Sequence, residues 1–395
     1  METLESKWAA VGLVGAILLV VAVPALAGEA KGNPYTSAKV CAGCHEDIYQ
    51  MWSRSLHATA LTDPVFDVVY MQVLKATDGK ARESCLRCHA PTTRVSRDYS
   101  LRQEVTREGV TCDFCHTISV VNMNNRAEPY TLRPGTVKFG PLGETTSPKH
   151  LTTFSPVHET SELCGGCHEL VAKNGTVIMG TYSEWKESPY AAKGVQCQDC
   201  HMPTVKDATT VKAGVKVSTK RVNKHDLQGG HSVDQLQRAA RVEILEVSKA
   251  SDAVRVRVRV TNVGSGHKMP TGIPSRKVLL TGRLKDARGA VLREATIRYQ
   301  KVLADAQHKP LETDADIFLK PSTVLLDNRL GPQESRIEEL VFPVTREMIQ
   351  DQVIGGRTYQ RNLSVEVALT YSYTPLILQP ADMVQDMAKD SRPLQ

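Results

Sequence analysis

The chain has 395 residues, 41% of them apolar and 23% charged, with a formal net charge of +6. That length suits two or three domains, and the apolar content is too high for a disordered chain. All ten cysteines lie between Cys41 and Cys200, so the chemistry of the first half turns on what those thiols do.

From the N-terminus, Ala9 to Val23 is an almost unbroken apolar run, followed by Pro24, Ala25, Leu26 and Ala27 and a polar exit at Glu29. The pattern predicts a signal peptide over 1–27, cleaved after Ala27. Glu2 and Glu5 outweigh Lys7 at its start. Counted through Gly28 the run is about 20 residues, enough to cross a bilayer as an uncleaved anchor. Either outcome predicts an exported body, periplasmic or extracellular at the cell surface, where thiols ordinarily pair as disulfides.

The spacing over 28–237 rejects that pairing. Five pentapeptides use every cysteine: Cys41-Ala-Gly-Cys44-His45, Cys85-Leu-Arg-Cys88-His89, Cys112-Asp-Phe-Cys115-His116, Cys164-Gly-Gly-Cys167-His168 and Cys197-Gln-Asp-Cys200-His201. A disulfide framework has no reason to follow each second cysteine with histidine, and a zinc ribbon needs thiolates in fours. Covalent attachment of haem c fits. Thiols at i and i+3 leave one side of a helical turn toward two vinyl groups on one porphyrin edge, and the next residue brings an imidazole under the iron. Cys41, Cys44, Cys85, Cys88, Cys112, Cys115, Cys164, Cys167, Cys197 and Cys200 are thus predicted to bind five haems c, with His45, His89, His116, His168 and His201 as proximal ligands. The macrocycles would form the core of this domain, with short helices and long loops draped over them. Their propionates outweigh the basic balance, so the charge is no argument for nucleic acid, and arginines such as Arg54, Arg87 and Arg126 are free to pair with them.

Seven histidines remain for five sixth positions. His57 follows Tyr49, Trp52 and Leu56 at helical spacing. A helix continuous from His45 would hold the two histidines about 18 Å apart, so His57 would ligate a different haem, and the same holds for His158 relative to His168. His150 follows a Pro/Gly-rich loop, and His225 and His231 bracket Asp226-Leu-Gln-Gly-Gly230; each is a distal ligand or an ordinary surface histidine. His308 reads as a surface residue. Met202 and Met269 are rival axial ligands, more simply read as core or loop residues.

Several runs resemble the nitrifier tetrahaem cytochrome c superfamily: Trp52-Ser-Arg-Ser-Leu-His57, Phe139-Gly-Pro141 with His150, Ser161-Glu-Leu-Cys164 through His168, Tyr182-Ser-Glu-Trp185 through Cys197-Gln-Asp-Cys200-His201-Met-Pro203, and His225-Asp-Leu-Gln-Gly-Gly-His231. The resemblance covers roughly residues 38–235. That superfamily includes extracellular multihaem cytochromes, some of which polymerise into conductive filaments. It implies bis-histidine haems in parallel and perpendicular pairs, with His57, His150, His158, His225 and His231 where the family places distal ligands. Implied partners are other redox proteins or cytochromes, and copies of the chain in a homo-oligomer or filament. The fifth motif departs from the tetrahaem pattern and leaves the pairing of ligand to haem open.

From about Ala240 cysteine disappears and residues alternate, as in Val254-Arg-Val-Arg-Val-Arg-Val260. Further strands are predicted at Val278–Leu284, Val291–Tyr299, Arg336–Phe342 and Leu363–Tyr371, with a hairpin turn at Asp286–Gly289. They suggest an all-β immunoglobulin-like sandwich over 238–375, followed by a C-terminal tail over 376–395. The segment Asn262–Gly272 looks like a loop found beside haem domains in such cytochromes, so His267 is either a haem ligand, in this or a neighbouring subunit, or a loop-ordering residue.

The expected fold is multidomain: an α-helical, loop-rich domain packed around five c-type haems, then the β-sandwich. The expected function is electron transport through a chain of bis-histidine haems, which needs no catalytic base. Two alternatives are a multihaem oxidoreductase reducing a small nitrogen or sulfur oxyanion at an open haem site, and a membrane-anchored quinol dehydrogenase, which requires the apolar N-terminus to be retained.

Overall fold

The computed structural model describes residues 33–142, 147–206, 221–359, 361–378 and 383–394. The leader expected over 1–27 lies outside them. Residues 33–395 form one compact unit, and no described helix is long and apolar enough to cross a membrane.

The first half combines short helices with two-stranded sheets, such as Ile118–Val121 with Tyr130–Leu132 and Val137–Gly140 with Leu151–Phe154, where helices and long loops alone were expected. Among the helices are α1 (Ala38–Ala42), α2 (Glu46–Ser53), α3 (Pro64–Ala76), α4 (Arg82–His89), α5 (Cys112–Cys115), α6 (Glu162–Gly165), α7 (Thr181–Lys186) and α8 (Cys197–His201). Asp63 caps α3, accepting from the amides of Val65 at 2.8 Å and Phe66 at 3.0 Å, and Pro64 supplies a first-turn residue that needs no amide donor. The helix expected to run on from His45 through Leu56 ends at Ser53. Serine side chains compete with helical bonding there: the Ser53 hydroxyl donates to the Gln50 carbonyl at 3.1 Å, and Ser55 accepts from the Ala58 amide at 3.4 Å. His57 therefore sits in a turn beyond α2. Buried apolar side chains in this half form only small clusters, such as Tyr70 with Leu86 and Ala90.

After α9 (Val233–Ala239) come strands β1 (Ala240–Lys249), β2 (Ala253–Asn262), β3 (Lys277–Lys285), β4 (Val291–Tyr299) and β5 (Lys301–Ala304), helix α10 (Asp314–Leu319), and β6 (Thr323–Asp327), β7 (Ser335–Pro343), β8 (Ser364–Ser372) and β9 (Val384–Pro393). One sheet has the order β7-β2-β1 and another β4-β3-β8-β9, while β5 and β6 pair separately. Alternation in β2 buries Val254, Val256, Val258 and Val260 completely. Arg255, Arg257 and Arg259 face outward and pair with Glu339, Glu246 and Glu243. The largest core cluster lies between the two sheets and includes Ile244, Leu280, Leu340, Phe342 and Val367.

The tail expected over 376–395 is corrected by β9, which pairs with β8 from Ser364↔Pro393 to Ser372↔Val384. An edge strand needs only a narrow apolar face, and here Met387, 4% exposed, supplies most of it. The two halves share small cores, Ile178 with Leu303 and Ile317, and Val69 and Val73 with Ala315.

Candidate functional site

One cavity of about 2650 Å³ is lined by all ten cysteines and by every histidine except His308. Pockets for small ligands occupy only ~300–1,000 Å³, so this one has room for several large flat groups. None of the ten cysteines is joined in a disulfide. Thiols of different motifs are close neighbours: Cys41 with Cys112, Cys88 with Cys167, and Cys164 with Cys197. Cys115 also lies close to Cys164 and Cys167. The first, third, fourth and fifth motifs thus follow one another in space, and the second joins at the fourth.

The imidazoles are arranged in facing pairs. Ring centres are 6.2 Å apart for His45 and His150, 6.1 Å for His57 and His168, 6.5 Å for His116 and His225, and 6.4 Å for His201 and His267. Two imidazoles bound to opposite sides of one metal ion, with metal–nitrogen distances of ~2 Å, have ring centres about 6 Å apart. Each pair joins one proximal histidine to a histidine far away in sequence.

Backbone carbonyls set the tautomers. The Nδ1 atoms of His89, His116 and His225 donate at 2.7 Å to the carbonyls of Ala60, Phe139 and Asn223. His201 donates to Gln228, His267 to Lys268 at 3.0 Å and His150 to Leu151 at 3.3 Å. With the proton on Nδ1, the lone pair is on Nε2, as a metal ligand requires. Burial, with neighbouring imidazoles adding to it, lowers the pKa of His57 to about 4 and that of His168 to about 3. Burial likewise brings His225 to about 4 and lowers His89, His116 and His267, which keeps these side chains neutral.

Two expected distal ligands are placed differently. His158 directs Nε2, not Nδ1, at a carbonyl, that of Cys115 at 3.1 Å, and its buried Nδ1 meets no partner. Its ring stacks on His116 at 5.7 Å. His231 lies 4.4 Å from the Tyr373 ring. His89 faces no imidazole among the described residues; Phe66 stacks on it at 3.7 Å. Met269 is 3% exposed within the sandwich core, consistent with its plainer reading. Arg87, read as free for a propionate, pairs with Glu128. Arg54 and Arg126 are exposed.

Sequence reasoning missed Arg94. Its guanidinium, 4% exposed, bonds Glu128 at 2.8 Å and lies 5.4 Å over the Tyr130 ring. It stands beside Cys88 and Cys167. A lone arginine in a loop-rich segment carries no signal of burial. The carbonyl partners had none either, since any residue type supplies a carbonyl.

The donor set fits haem c: paired thiols one helical turn apart, a following histidine with Nε2 available, and a shared apolar cavity. Residues 40–117 match the family model described as cytochrome c554 and c-prime. The chain is similar to the crystal structure of a penta-heme cytochrome c552 from Thermochromatium tepidum, at 25% identity and a TM-score of 0.69, over 92% of this chain and 100% of that one. Likenesses to Bacteroides uniformis beta-glucuronidase (13% identity, 39% of this chain and 12% of that one) and Kluyveromyces marxianus beta-glucosidase (8%, 40% and 14%) have TM-scores of 0.19 and carry no argument. No curated protein matches. The first two similarities support a multihaem c-type cytochrome with an electron-transfer or redox role.

Proposed function

We propose that the chain is an exported pentahaem c-type cytochrome that carries electrons along its haems. Bound haem iron supplies one-electron chemistry between two oxidation states. The five Cys pairs would hold the macrocycles. Four irons would take the ligand pairs His45/His150, His168/His57, His116/His225 and His201/His267. The four facing pairs at 6.1–6.5 Å carry this reading. Burial keeps His57, His116, His168, His225 and His267 neutral, backbone carbonyls fix the tautomers of His116, His150, His201, His225 and His267, and a buried cation, Arg94, stands beside the second and fourth motifs. The thiol neighbours favour an array running 1-3-4-5 with the second haem joined to the fourth.

The two sheets suit an immunoglobulin-like sandwich, since β7-β2-β1 and β4-β3-β8-β9 correspond to an E-B-A sheet facing C′-C-F-G. Partners would be other redox proteins. A filament needs ligands or surfaces beyond these pairs, and with His158 and His231 engaged inside the chain the histidine surplus that favoured one shrinks.

The test is a pyridine haemochrome count and mass of the purified protein, with a potentiometric titration. Five haems and low midpoint potentials, as bis-histidine ligation predicts, support the reading; fewer than five covalent adducts, or potentials in the range of a methionine-ligated carrier, overturn it.

A second reading, reduction of a small oxyanion, is favoured by one observation: among the described residues His89 has no facing imidazole, whereas each of the other four proximal histidines has one. Cys85, Cys88 and His89 would hold a haem there without a second imidazole, and substrate binding at iron requires such an opening. High-spin features in the oxidised spectrum that vanish on adding cyanide or nitrite would support it, and an all-low-spin protein indifferent to both ligands would remove it.

A further inference from the structure

We infer that an ionic network centred on the buried Glu184–Arg329 pair and extended by Asp327 and Lys268 is a latch that holds His267 opposite His201, so that the β-sandwich completes the fifth haem site. The inference rests on the proposed ligation by His267.

His201 ends α8, whereas His267 belongs to the irregular connection between β2 and β3. That connection lies outside the strand ladders, so its position depends on side-chain ties and one isolated backbone bridge. Asn262, fully buried, donates from Nδ2 to the His267 carbonyl at 3.0 Å and the Leu330 carbonyl at 3.3 Å. Met269 and Leu330 exchange backbone bonds of 2.8 and 3.1 Å.

Arg329 then joins three parts of the protein. Its guanidinium donates to the Pro270 carbonyl at 3.1 Å, within the His267 connection. It grips Asp327, at the end of β6, through Nε at 2.7 Å and Nη2 at 2.8 Å. It reaches Glu184 on α7, in the haem-binding half, at 2.7 Å. Lys268, next to His267, closes onto Asp327 at 2.9 Å. Thr271 donates to the other Glu184 oxygen at 2.7 Å. The Arg329 and Glu184 side chains are 4% and 8% exposed.

Buried charges are costly unless every partner is in place, and an apolar contact of similar volume would stabilise at least as well. Directional bonds add a fixed register. Apolar packing would let the connection slide by a fraction of an ångström, whereas a forked guanidinium bonded to two carboxylates and a carbonyl has one arrangement. The latch thus couples the sandwich to ligation of an iron held by the other half. Glu184, Arg329, Asp327 and Lys268 are positioning residues: they act through His267.

The test uses purified holoprotein with all five haems verified by pyridine haemochrome. Its readouts are the low-spin signals in electron paramagnetic resonance and the midpoint potential of each haem. His267→Ala, the reference, is expected to turn one haem high-spin, with low-spin character restored by added imidazole. Arg329→Lys, which keeps the charge and loses the fork, and Glu184→Gln, which keeps the shape, are expected to convert part of that same haem population, raise its potential and leave the other haems unchanged. Wild-type spectra and potentials in both latch variants, or a loss spread over all haems, would overturn the latch. If His267→Ala leaves the spectrum unaltered, the proposed ligation fails instead. Should Arg329→Lys not accumulate as holoprotein, Glu184→Gln decides alone.

Discussion

Gly109 holds an imidazole in place through its backbone. Its φ is +69°, and a Cβ there would meet the His57 carbonyl oxygen at 2.5 Å and that of Ala58 at 3.0 Å. The next residue, Val110, donates its amide to the His57 carbonyl at 2.8 Å and accepts from the Trp52 indole at 2.9 Å. Gly109→Ala should therefore cost about 1–2 kcal/mol from the left-handed backbone alone, with the clash adding to it, and should disturb the His57/His168 pair. Thermal melts followed by haem absorption check this; an unchanged melting temperature would refute it. Asp327 makes the pH dependence explicit. Burial acts to raise its pKa, but bonds from Arg329 and Lys268 more than offset this and hold the carboxyl well below its ordinary value. A carboxylate depressed in the folded state contributes stability above its unfolded pKa of about 3.9, and that contribution is lost as pH falls below it. Denaturant melts between about pH 5 and pH 3 should show a decline in the wild type that is shallower in Asp327→Asn; parallel curves would exclude the effect.

Elements carry the motifs only because short local devices orient them. Ser161, fully buried, donates to the Gln196 side chain at 2.8 Å and accepts from the Cys197 amide at 3.0 Å. It thereby ties the start of α6, with the fourth motif, to the start of α8, with the fifth. Ser161→Ala removes the partner of the Cys197 amide, while the Gln196 oxygen keeps the Ser161 amide at 2.9 Å, and should cost about 1–3 kcal/mol, read as a lower denaturation midpoint at unchanged haem content. A midpoint equal to the wild type would show that the bond does no work. The strands divide by how one-sided they are. β2 was legible because Val and Arg alternate without a break, and Val291–Tyr299 appears with the predicted bounds. β9 was not, because along Val384–Pro393 only Met387 is buried, which prints no period on the sequence.

Across the whole molecule, the two halves are bonded as well as packed. Asn174 donates to the Pro321 carbonyl at 2.9 Å, Thr176 to that of Ser322 at 2.7 Å, and Lys301, 5% exposed, directs Nζ at the carbonyls of Val177 and Ile178. Together with the cluster of Ile178, Leu303 and Ile317, these ties predict a single cooperative transition. Haem absorption and far-ultraviolet circular dichroism should then melt together, and two separated transitions would contradict the coupling.

The attachment sites could be read directly because covalent chemistry confines each to five consecutive residues: two thiols on one helical turn and a histidine after them. The strand faces could be read because burial on one side of a sheet imposes alternation. Which imidazole faces which was decided by tertiary structure, since His45 and His150 or His57 and His168 meet only after the chain has folded back on itself. The same folding brought His267 opposite His201 and stacked His158 on His116. Each nitrogen's lone pair depends on which distant carbonyl its ring happens to reach, and backbone carbonyls are identical at every position of a sequence.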